Sequence, residues 1–249
     1  MDNFAEGSKI IVMEPQLKIK TPDKHIIYGT FRPARRKSSA LLIFVHGLHG
    51  HQNGHIFYNG ARYFSERGVN TFRFDLYTGE KGGRVLTKCG ISTHAKDLDT
   101  VVKHFRKKYK KIFVAGHSLG APTIFYSDTG KVDGIIFWDG SRPYSWRLKY
   151  IKSINAYLAK SGTEYLVGKK MYEERKNFPA KESLKKINKP IKIIVAGKGQ
   201  LIQTGKQYFK YANKPKEFAI IKGATHNFNE EGTAEKLFQE TYSFIRRFT

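Results

Sequence analysis

"VAGHSLGAP", Val114–Pro122, sets Ser118 between glycines at 116 and 120. It fits G-x-S-x-G, the pattern of a sharp strand-to-helix turn that lifts a serine hydroxyl off the end of a sheet. The run before it, "KIFVAG" (111–116), reads as a strand buried on both faces, and a helical pattern follows. Pro122 falls in the first helical turn, where a missing N–H costs little. The glycines let the chain bend without Cβ clashes. An ordinary strand-to-helix turn would use the same residue types, so the reading of Ser118 as a nucleophile depends on partners elsewhere in the chain.

Working outward, "ALLIFVHG" (40–47), "VNTFRFD" (69–75), "GIIFWDG" (134–140), "IKIIVAG" (191–197) and "KEFAIIKG" (216–223) read as further strands. Ile56, Phe57, Ala61, Tyr63 and Phe64 recur at helical spacing. Residues 93–109 are amphipathic, with Ala95, Leu98, Val101, Val102 and Phe105 on one face. "GKQYFKYA" and residues 232–248 complete the helices. Towards the N-terminus, 9–14, 17–20 and 25–31 read as short strands around Pro15 and "TPD". Strands alternating with helices predict a mostly parallel sheet flanked by helices. Residues 141–189 break the alternation and are rich in tyrosine and lysine. They are expected to form a small helical cap inserted into a core made of 1–140 and 190–249.

Composition bounds the partners. The chain has 249 residues, 40% hydrophobic and 14% aromatic, enough for a packed core. Its formal net charge is +24, with 32 lysines against 13 arginines. Such a field attracts nucleic acid, anionic surfaces or acidic substrates. The lysines are scattered and no nucleic-acid motif is present, so a solvated basic surface is the expected reading and no nucleic-acid partner is assigned. No window resembles a membrane span, and the acidic N-terminus is a poor signal peptide. Cys89 is the single cysteine, which excludes an internal disulfide and agrees with a cytoplasmic setting.

Two further stretches bear on Ser118. "FVHGLHGH" (44–51) follows a buried strand, where an acyl-transfer enzyme needs preset N–H donors for a developing oxyanion. The Leu48 and Leu119 N–H groups are the candidates. Taken as metal ligands, His46, His49, His51 and His55 are loosely spaced and have no Asp, Glu or Cys nearby, so neither metal nor cofactor is expected. "GATHNF" (223–228) lies between the last strand and the last helix, which makes His226 the candidate base.

The combination H-G-x-x-G-H, G-H-S-L-G and G-A-T-H-N-F at these intervals resembles the α/β-hydrolase superfamily, over residues 25–249. It looks most like small esterases, feruloyl-esterase-like enzymes and monoacylglycerol lipases. The resemblance implies an α/β-hydrolase fold and hydrolysis of a small-molecule ester by a serine acyl-enzyme route. One departure stands out. Where relatives carry the acid, this chain reads Gly197-Lys198-Gly199-Gln200, and Gln200 has no charge to stabilise an imidazolium. Asp139, after the preceding strand, is the expected substitute, although Asp-Gly is also a turn signal. Asp75 is set aside because relatives use that position structurally. Trp138, Tyr144, Trp146, Tyr150 and Tyr157 cluster near the start of the cap. Trp138, Tyr144 and Trp146 are the expected pocket residues, with packing claiming most of the cluster. A fold that has lost catalysis and keeps binding, or one that cleaves thioesters or peptides, are the alternatives.

Overall fold

A computed structural model describes residues 13–144, 147–161 and 163–249. In chain order the elements are β1 (Gln16–Lys20), β2 (Ile26–Arg32), β3 (Ala40–Val45), α1 (His55–Glu66), β4 (Asn70–Phe74), α2 (Ile91–Arg106), β5 (Lys111–His117), α3 (Gly120–Tyr126) and β6 (Gly134–Trp138). They continue as β7 (Lys149–Ile151), β8 (Ala156–Ser161), β9 (Thr163–Gly168), α4 (Lys169–Lys176), α5 (Ala180–Lys186), β10 (Ile191–Ala196), α6 (Ile202–Tyr211), β11 (Lys216–Ile221) and α7 (Thr233–Phe248). The strand expected at 9–14 lies mostly outside the described residues.

Eight strands form one sheet in the order β1-β2-β4-β3-β5-β6-β10-β11. β1 and β2 are antiparallel to their neighbours, and all pairings from β4 to β11 are parallel. The continuous apolar runs follow from this, because β3, β5, β6 and β10 are covered by helices on both faces. Strand alternation divides their side chains between two cores. Leu41, Ile43, Val114, Ile135, Phe137 and Ile193 join α2 and α3 in one core. Leu42, Phe44, Phe113, Ile136, Trp138 and Ile194 join α1 and α7 in the other.

That alternation corrects one sequence expectation. Trp138 is not a pocket residue. It points to the α7 side, is fully buried, lies 5.5 Å from the Phe44 ring centroid, and donates its indole N–H to Thr241 Oγ1 at 2.9 Å.

The segment between β6 and β10 differs from the helical expectation as well. Its first half is an antiparallel three-stranded sheet, β7-β8-β9, and helices appear only at α4 and α5. The physical reason lies in the turn and the aromatics. Asn155 adopts a left-handed conformation (φ 49°) between β7 and β8, a state open to asparagine at low cost. The Tyr157 ring then stacks on Tyr172 of α4 at 4.0 Å. At the end of β9, a Cβ on Gly168 would lie 2.0 Å from the Thr87 carbonyl oxygen. This close approach docks the small sheet onto the core.

Candidate active site

The carboxyl ends of the central strands converge on one cleft. Ser118 follows β5 with φ 52°, unusual for a residue bearing a side chain. The turn is tight enough to require its glycines: a Cβ on Gly116 would lie 2.6 Å from the Gly120 carbonyl carbon, and one on Gly120 would lie 2.4 Å from the Val45 oxygen. Ser118 N–H donates to Trp138 O at 3.1 Å, and Ser118 O accepts from Ser141 N–H at 3.1 Å. The β5–α3 turn is thereby tied to the end of β6. The Ser118 hydroxyl forms a hydrogen bond with Ser141 Oγ at 3.1 Å.

Asp139 follows β6 with φ 45° and is fully buried. Its backbone N–H donates to Ile194 O at 2.8 Å, and its Oδ1 accepts from Ala196 N–H at 3.1 Å. Its Oδ2 lies 2.6 Å from His226 Nδ1. A carboxylate in that position makes Nδ1 the protonated nitrogen and leaves Nε2 as an acceptor. Gln200 is exposed and lines the same cleft.

The loop bearing His226 is braced from three sides. Glu230 accepts from Thr225 N–H at 2.9 Å, His55 Nε2 meets Phe228 O at 3.2 Å, and His117 Nε2 donates to His226 O at 2.9 Å. The His117 ring lies 4.8 Å from that of His226. Burial pushes His117 down to about 3, so it stays neutral and acts as a donor.

The loop after β3 is set by His46. Its Nδ1 donates to Gly47 O at 2.7 Å while Nε2 accepts from Leu76 N–H at 2.9 Å. Burial lowers this imidazole to about 4 and keeps it neutral. Asp75 accepts from the backbone and side chain of Gln52 at 2.8 and 2.7 Å, a structural use that leaves it outside the cleft. Leu48 borders the cleft, whereas the Leu119 side chain is buried. Among the described residues neither the Leu48 N–H nor the Leu119 N–H has a hydrogen-bond partner. Also among the described residues, no group of three or more His, Cys, Asp or Glu side chains is placed to hold a metal ion.

The cleft has a volume of about 1070 Å³, and Ser118, Asp139, His226 and Leu48 line it. Tyr144 lines it as expected, whereas Trp146 lies outside the described residues. Tyr150 is 46% exposed and bonds Asn155, so it packs away from the cleft. Ser141, Tyr165 and Arg175 are among the lining residues that the sequence does not single out. Ser141 has no motif and is brought to Ser118 only by the pairing of β5 with β6. Tyr165, on β9, is half-buried, and burial raises its phenol to about 12. Arg175, on α4, is buried and donates to Arg142 O at 2.7 Å.

A family profile described as serine aminopeptidase, S33, matches residues 36–137. No curated protein matches the chain by sequence. Among solved structures, the chain is similar to Est1E from Butyrivibrio proteoclasticus with ferulic acid bound, at 16% identity and a TM-score of 0.80, covering 93% of this chain and 98% of that one. It is similar to the α/β hydrolase GrgF from Penicillium sp. sh18 at 15% identity and a TM-score of 0.80, covering 95% and 99%. Mouse α/β hydrolase domain-containing protein 10 aligns at 15% identity and a TM-score of 0.74, covering 94% and 100%. At these identities the likeness establishes the fold, which is that of the α/β hydrolases.

Proposed function

We propose that this α/β-hydrolase-fold chain is a serine hydrolase that cleaves small to medium carboxylic esters through an acyl-enzyme. The observation that carries the reading is the 2.6 Å contact between Asp139 and His226 in the cleft that Ser118 lines. A nucleophile needs a base within reach, and the base needs an orienting partner. The Ser118 hydroxyl turns from Ser141 to His226 Nε2 and attacks the ester carbonyl. His226 takes its proton, and the buried Asp139 carboxylate holds the resulting imidazolium. The Leu48 and Leu119 N–H groups receive the oxyanion. The alcohol departs with the proton from His226. Water then repeats the cycle, freeing the acid and Ser118.

A peptidase reading is suggested by the description of the matching profile. Release of an N-terminal residue calls for an anionic group to receive a protonated amine. The one carboxylate lining the cleft among the described residues, Asp139, is fully buried and engaged by His226. The cleft chemistry therefore favours an ester. A cytoplasmic setting agrees with a single, buried and unpaired cysteine, and no helix among the described residues is long and apolar enough to cross a membrane.

Fluorophosphonate labelling tests the proposal. The wild-type chain should label and hydrolyse 4-nitrophenyl esters, and Ser118→Ala should do neither while keeping its fold. A wild-type chain that neither labels nor hydrolyses any ester across a graded series of chain lengths would point to a binding protein on this fold.

A further inference from the structure

We infer that the cleft selects esters carrying an ionised oxyanion group, a carboxylate or a phosphate, and that Arg142 and Arg147 bind that group. This rests on the serine-hydrolase reading and specifies its substrate class.

The cleft is charged in one sense. Arg142, Arg147, Lys160, Arg175 and Lys198 line it, against the single carboxylate of Asp139. Asp139 forms no ion pair with Arg142, Arg147 or Lys198, and its carboxylate is directed at Ala196 N–H and His226. Cations packed elsewhere in the molecule are matched. Arg84 pairs with Asp97 and Asp23, Arg32 and Arg73 share Glu14, and Lys192 sits between Glu217 and Glu240. In the cleft, Lys160 is held by Glu164 at 2.5 Å. Among the described residues, no carboxylate lies within 4 Å of Arg142, Arg147 or Lys198.

Position singles out Arg142. It follows Ser141, whose hydroxyl lies 3.1 Å from the Ser118 hydroxyl. Its carbonyl is held by the buried Arg175 guanidinium, which also lies 4.4 Å from the Tyr144 ring centroid. The 142–144 stretch of wall is thereby fixed beside the nucleophile. Arg142 and Arg147 are both exposed to solvent, so an incoming ligand can reach them, and a guanidinium there matches an oxyanion with two parallel N–H donors. A small ester that presents its carbonyl to Ser118 can reach this group with a second, charged end.

The test compares two 4-nitrophenyl esters of equal length, the monoester of adipic acid and the hexanoate, on wild type and on the double variant Arg142→Gln/Arg147→Gln. A second double variant, Lys107→Gln/Lys108→Gln, removes the same charge just after α2, at the opposite end of the sheet from Ser118. Wild type should prefer the adipate monoester. The arginine variant should lower the ratio of kcat/KM for the charged over the neutral ester by about tenfold, the weight of one charge-assisted contact, and the lysine variant should leave that ratio within about twofold. Inhibition by free adipate against inorganic phosphate separates a carboxylate from a phosphate as the preferred group. An unchanged ratio in the arginine variant, or an equal fall in the lysine variant, would overturn the proposal in favour of the general field of the molecule.

Calorimetric titration of adipate into Ser118→Ala separates this failure from failure of the hydrolase reading. Adipate binding that the two arginine substitutions abolish, in a chain whose wild type shows no turnover, removes the hydrolase reading and leaves the anion site standing. Absence of adipate binding beside brisk turnover of the hexanoate does the reverse.

Discussion

Asp139 combines two uses of one residue. It adopts the left-handed region at φ 45°, as the Asp-Gly turn signal anticipates, and its carboxylate faces His226 from a fully buried position. Asp139→Asn keeps the shape, but an amide that donates a proton towards Nδ1 favours the wrong tautomer. If the residue acts as proposed, kcat should fall by roughly 10³–10⁴-fold, and Gln200→Ala should change it less than about threefold. Steady-state kinetics on both variants decides the point, and equal losses would return the acid role to the loop after β10. In the sequence Ser118 stands out by its flanking glycines and His226 by its place after the last strand, whereas Asp139 is named because Gln200 occupies the position where relatives carry the acid. Ser141 and His117 carry no such mark. Ser141 meets Ser118 through the β5–β6 pairing, and His117 braces His226 across 109 positions of chain. No local pattern encodes either contact.

The strands of the parallel sheet were legible because burial on both faces leaves continuous apolar runs, as in "ALLIFV" of β3. The same property hid the destination of Trp138, since a run with no polar alternation does not say which side chain faces which layer. The β7–β9 sheet differs from the helical expectation for another reason. Its strands are short and half-exposed, and their lysines and tyrosines mimic helical spacing, while the left-handed turn between β7 and β8 is made by Asn155, with no glycine to mark it. Function and stability should therefore separate between these elements. Trp138→Ala should cost about 3–5 kcal/mol, as expected for a fully buried aromatic, and leave the ranking of ester chain lengths unchanged. Tyr144→Ala and Tyr165→Ala, on the cleft wall, should shift that ranking and cost about 1 kcal/mol or less. Denaturant midpoints measured beside chain-length profiles test the division. A shifted profile in the Trp138 variant with unaltered stability would place that ring back in the pocket.

At the scale of the whole molecule, the +24 charge was evident from composition, but where it concentrates depends on which side chains the fold neutralises. The same balance governs response to acid. His46, His94 and His117 are buried in three different settings, and burial lowers them from 6.5 to about 4, 3 and 3. An unfolded chain protonates these rings near pH 6.5 and the folded chain resists doing so. The unfolded state therefore binds more protons below that pH, and stability falls as pH drops from 6.5 towards 4. The upper bound on the slope is about 1.4 kcal/mol per pH unit for each ring, or roughly 4 for the three together. Asp23 and Glu14 act in the same direction further down, because hydrogen bonds from Arg84 depress the first and those from Arg73 and Arg32 outweigh burial in the second. Asp97, raised by burial, opposes them. Protonation of carboxylates also removes the only charges that offset 45 cations, so self-repulsion grows on acidification. Against a typical stability of about 5–15 kcal/mol, these effects are large. The melting temperature should drop by more than about 10 °C between pH 7 and pH 5, given roughly 2–4 °C per kcal/mol for a chain of this size. His94→Leu, which removes one ring without touching the cleft, should flatten the slope by about a third even where it lowers the plateau. A melting temperature that stayed level from pH 7 to pH 5 would show that these imidazoles accept protons in the folded state, and the neutral donor role assigned to His117 would fall with it.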